Sequence, residues 1–229
     1  PRCLNDVKDN PLFYGVWTWS RGGGWYGPYI SNELWCDLNT YVMSQWALNP
    51  NRTEEDIFNE YALKIGISQE TLCMLTPDAI IRGRGSLLHS VNVTWTRDHY
   101  LGGINQLKRI FDEILKKNIV DESLYEMKLS VALWEDIVEL SEKIQCNDKA
   151  IEQYIKTSSL YGLWLHRIME QGWIVMLKGY QGEQTGVYDK TAIKLALEKY
   201  DHSWNEYRQL KENNGDCATL YYDQYVKFN

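Results

Sequence analysis

Apolar residues recur at helical spacing through most of this chain. Leu34, Trp35, Leu38, Tyr41, Val42 and Trp46 fall on one face of a helix, with Ser31 or Asn32 as a cap and Asn49-Pro50 as the stop. Thr53 then caps a second helix. Glu54, Glu55 and Asp56 load its first turn with charge suited to the helix dipole, Ile57, Phe58, Tyr61, Ala62 and Ile65 form its stripe, and Gly66 ends it. Thr76-Pro77-Asp78 starts another, with Pro at the first helical position, carrying Ile80, Ile81, Leu87, Leu88, Val91 and Trp95 across Gly83 and Gly85. Further helices are predicted over about 104–117, 121–145, 148–178 and 189–212. The final CATLYYDQYVKF suits either a short helix or an extended tail. With short connections and no fixed-period repeat, the expected fold is mainly α: an antiparallel multi-helix bundle.

One segment breaks the pattern. Leu12 to Ser20 reads LFYGVWTWS, an aromatic run bounded by Pro11 and by glycines, which predicts a short N-terminal strand. A lone strand leaves backbone hydrogen bonds unmade, so it needs partners, placed most simply in sequence upstream of Pro1 or else in a weaker local strand. We therefore expect residues 1–30 to be the remnant of a barrel strand with its glycine and aromatic loop, and residues 31–229 to be a helical domain.

That loop holds the candidate chemistry. Arg21-Gly22-Gly23-Gly24 is neither a dinucleotide fingerprint nor a P-loop, since the glycine spacing and the following GK[ST] are absent. It reads as a turn between strand and helix, or as a backbone that comes close to a ligand. Alternation along the strand puts Trp17 and Trp19 on one face. With Trp25, Tyr26 and Tyr29 they could stack on the C–H faces of sugar rings, or pack in a core or domain interface. Arg21 suits a carboxylate on a ligand or within the protein. Glycoside cleavage needs two carboxylates. Glu33 and Asp37, one turn apart beside the loop, can share a helix face, although an acid in a first turn also answers the helix dipole. Glu33 is thus a weak catalytic candidate. Glu54, Glu55 and Asp56 read as capping residues, and Glu135, Asp136 and Glu139 as a solvated helix face. Ser20 lies in no nucleophile elbow.

Composition narrows the classes. Lys and Arg total 24 against 31 Asp and Glu, a formal charge of −7, with an isoelectric point near 5.2. Without a basic run, a nucleic-acid or anionic-membrane partner is not expected, and no apolar run reaches the length of a membrane span. The start at Pro1 suggests a processed chain or a fragment. Cys3, Cys36, Cys73, Cys146 and Cys217 form no CxxC pair, and His89, His99, His166 and His202 show no metal-binding spacing. No metal or cofactor is expected, and the cysteines read as core filling. Asn51 and Asn92 sit in N-x-T sequons, which matter only in a glycosylating host.

The run GVWTWSRGGGWYGPYISNELWCDLNTYVMSQWALNPNRTEEDIFNEYA, with Trp46-Ala47-Leu48-Asn49-Pro50 and Thr53-Glu54-Glu55-Asp56-Ile57-Phe58, resembles the last barrel strand and following helices of bacterial α-glucuronidase-like glycoside hydrolases. The resemblance is best over residues 12–65; the terminal YDHSWNEYRQLKENNGDCATLYYD is similar to the last helix of such a domain. It implies an upstream (β/α)8 barrel with its site at the strand C-termini, and a rim loop from Ser20 to Tyr29 facing an oligosaccharide or glycan. Trp19, Arg21, Trp25, Tyr26 and Tyr29 would then be the substrate contacts. It also implies that the catalytic acids lie on earlier strands outside this chain, and favours a periplasmic or secreted setting. The alternative is a stand-alone helical module that binds a protein or glycan and catalyses nothing.

Overall fold

The computed structural model describes residues 8–12, 14–15, 34–68, 72 and 104–217. Among the described residues there are six α-helices and no strand: α1 Leu34–Leu48, α2 Glu54–Ile65, α3 Ile104–Lys116, α4 Val120–Glu142, α5 Lys149–Thr185 and α6 Lys190–Asn213. The mainly helical bundle expected from the apolar periodicity is therefore present. Of the predicted strand, Leu12 lies in a turn, its N–H donating to Asn10 Oδ1 at 2.9 Å. Tyr14 and Gly15 belong to no regular element, and the remaining strand positions fall outside the described residues. So do the helix predicted from Thr76 and all of the chain's end beyond Cys217.

Helices α1 and α2 form a hairpin closed by polar contacts. Leu38, Val42 and Trp46 of α1 are buried against Ile57, Tyr61 and Ala62 of α2. Across the turn, the Trp46 indole donates to the Arg52 carbonyl at 3.3 Å, and the Arg52 guanidinium donates to Gln45 and, at 2.6 Å, to Glu60. Thr53 Oγ1 accepts from the Asp56 N–H at 3.1 Å, the expected N-cap. Gly66, in the left-handed region at φ 75°, ends α2. Its N–H donates to Leu63 O and the Ile67 N–H to Ala62 O, which satisfies carbonyls that the helix end would otherwise orphan.

The long helix α5 organises the rest. It has 37 residues, roughly 55 Å at the rise of an α-helix, and it packs against α3, α4 and α6. Ile137 of α4 meets Ile155 near one end, and Val120 and Met127 meet Met169, Trp173 and Leu177 toward the other, so α4 and α5 are antiparallel. Tyr161 lies against Tyr207 and Trp164 against His202, which sets α6 antiparallel to α5 as well. Positions facing α4 (162, 166, 169, 173) and facing α6 (161, 164, 168) lie on roughly opposite sides of α5 at about 100° per residue. A helix embraced on two sides buries residues around most of its girth. Its buried positions accordingly include the small Thr157, Ser158, Ser159, Gly162 and Gly172 as well as Ile155, Leu163 and Trp173.

Three apolar clusters lie along α5. The first joins α1, α2, Ile144 and Cys146 to Ile137 and Ile155. The second joins Ile110, Phe111 and Ile114 of α3 to α4 and Trp173, with Phe111 edge-on to Trp173 at 5.6 Å. The third joins Ile168 to Trp204 and Tyr207 of α6.

Two helix ends differ from expectation. α4 ends at Glu142 rather than near 145, and α5 runs on from Lys178 to Thr185. The glycines at 179 and 182 argue for a stop at Lys178, because each costs about 1 kcal/mol in a helix interior. Packing overrides them. The Tyr188 ring lies directly against Gly182, and Tyr180 stacks near Phe111 while its hydroxyl donates to Asp112 at 2.5 Å. Gly186, at φ 75°, is the residue that ends the helix.

Candidate functional site

Trp17, Trp19, Arg21, Trp25, Tyr26, Tyr29 and the acid Glu33 all lie outside the described residues. The described residues resume at Leu34, in the first turn of α1. That turn is held twice. The Trp35 indole N–H donates to Ser158 Oγ of α5 at 3.0 Å, and the Tyr61 hydroxyl of α2 donates to the Leu34 carbonyl at 3.4 Å. Ser158 is itself 3% exposed and donates onward to the Ile155 carbonyl at 3.1 Å. Asp37, the expected partner of Glu33, is half-buried in this first turn.

A grouping of polar and aromatic side chains spans α4, α5 and α6. The Trp134 ring lies so close over Gly162 that an added Cβ would sit 2.1 Å from its Cζ3. His166, one turn further along α5, places its ring 5.2 Å from Trp134 and its Nδ1 2.7 Å from the Gly162 carbonyl, a hydrogen bond in which a protonated Nδ1 donates. Burial lowers the His166 imidazole to about 4, and the Gly162 hydrogen bond opposes that shift without cancelling it. At neutral pH the ring is therefore uncharged. Beside it, Arg167 reaches Glu135 of α4 at 2.7 Å and lies over the Trp164 ring at 4.7 Å. Trp164 is edge-on to His202 of α6 at 5.9 Å. Burial raises the Glu170 carboxyl above the ordinary range, opposed by the Gln171 amide that donates to it at 2.7 Å and by Lys199 and Lys128.

The chemistry open to this grouping is limited. His166 spends one nitrogen on a backbone carbonyl, and Glu135 is held by Arg167. The contacts tie three helices together without presenting a paired acid and base to a substrate. The helical pattern of the sequence marks Glu135 only as a solvated position. It is exposed, yet its ion pair spans two helices. The signal that was available is the Gly162 to His166 spacing of one turn, which places a small residue and a flat ring on one face.

Among the described residues no group of three or more His, Cys, Asp or Glu could hold a metal. No helix among them is long and apolar enough to cross a membrane. Cys146 is buried with its thiol 3.2 Å from the Ile65 carbonyl, in keeping with core filling, and Cys36 and Cys217 are half-buried. Compared with protein-family models, with curated proteins and with solved structures, the chain gives no match.

Proposed function

We propose that this chain is the C-terminal helical region of a carbohydrate-active glycoside hydrolase acting on uronic-acid-containing glycans. On this reading the helices support a (β/α)8 barrel, and the aromatic glycine loop contributes Trp19, Arg21, Trp25, Tyr26 and Tyr29 to its sugar site. The observation that carries the proposal is the exposure of Leu12 (79%) and Tyr14 (94%) at the start of the aromatic run. Both residues belong to the run Leu12 to Ser20 that reads as a strand, and large side chains left uncovered within such a run are what a partner surface would explain. The double anchoring of Leu34 and Trp35 supports the same reading, because a rim loop needs a rigid root. The catalytic acids belong to the absent barrel, so the chain alone binds without hydrolysing.

Calorimetric titration with glucuronic acid and short glucuronoxylan oligosaccharides tests this, with neutral xylo-oligosaccharides as the control. Binding of the acidic sugars is expected, lost in Trp25→Ala and weakened about tenfold or more in Arg21→Ala, the worth of a charge-assisted hydrogen bond. Absence of heat with every sugar would remove the sugar-site reading. Equal binding by wild type and both variants would move the site away from the loop.

A further inference from the structure

We draw no further inference here: the strongest candidate, the Trp134–His166 stack over Gly162 between α4 and α5, rests on the depressed pKa of one half-buried histidine alone.

Discussion

A single methyl group added at Gly162 would collide with Trp134, while one added at Gly179 on the same helix would meet nothing within 4 Å. The two glycines thus separate packing from propensity. Gly162→Ala gains helix propensity but forces the Trp134 ring off α5, and overpacking of that kind costs about 1–3 kcal/mol. Gly179→Ala keeps only the propensity gain and should stabilise by up to about 1 kcal/mol. Urea unfolding midpoints at unchanged slope measure both, and equal effects at the two positions would contradict the close contact. His166 sets a second test at this scale. Its pKa falls from 6.5 unfolded to about 4 folded, so the unfolded chain binds more protons between those values. Stability is complete above pH 6.5 and is lost as pH falls toward 4, by at most ~3 kcal/mol. Glu152, held down to about 2 by Lys149 and Lys156, acts in the lower window between 4.5 and 2. Unfolding free energies measured at pH 7 and pH 5 should therefore differ in wild type and converge in His166→Gln.

At the scale of elements, helix ends were the most legible features of the chain. Thr53, the acidic first turn and Gly66 announced α2, and each does in the structure what its chemistry favours. Thr53→Ala should cost about 1 kcal/mol by orphaning the Asp56 N–H. Gly66→Ala should cost about 1–2 kcal/mol, since φ 75° is unfavourable for an L side chain and the new methyl would press on Asn147 at 3.3 Å. Thermal unfolding reads both; a silent Gly66→Ala would mean that another residue ends α2. Other boundaries were less legible. Asn118, at φ 53°, ends α3 with the same pair of backbone bonds that closes α2, Asn118 N–H to Leu115 O and Ile119 N–H to Ile114 O. Nothing local distinguishes that Asn from others in the chain. The extension of α5 past Lys178 is likewise a matter of packing, since the Tyr188 ring fills the space beside Gly182 within the helix.

At the scale of the molecule, α5 is the common support. The hairpin of α1 and α2 joins it through the first apolar cluster and through the Trp35–Ser158 hydrogen bond, which links residues far apart in the chain. A double-mutant cycle with Trp35→Phe and Ser158→Ala should show coupling of about 1 kcal/mol, the net worth of one neutral hydrogen bond. Strict additivity would show that the apolar cluster alone carries the docking.

The sequence by itself determined that the molecule is mainly helical, where most of its helices begin, and that Thr53 and Gly66 bound α2. These follow from interactions within a few residues: side-chain periodicity, capping hydrogen bonds and the conformational freedom of glycine. Only the tertiary structure decided that α5 is gripped from opposite sides, that Trp134 lies on Gly162, and that Trp35 finds Ser158. Those depend on which distant faces meet, and apolar periodicity shows that a face is buried without showing what buries it.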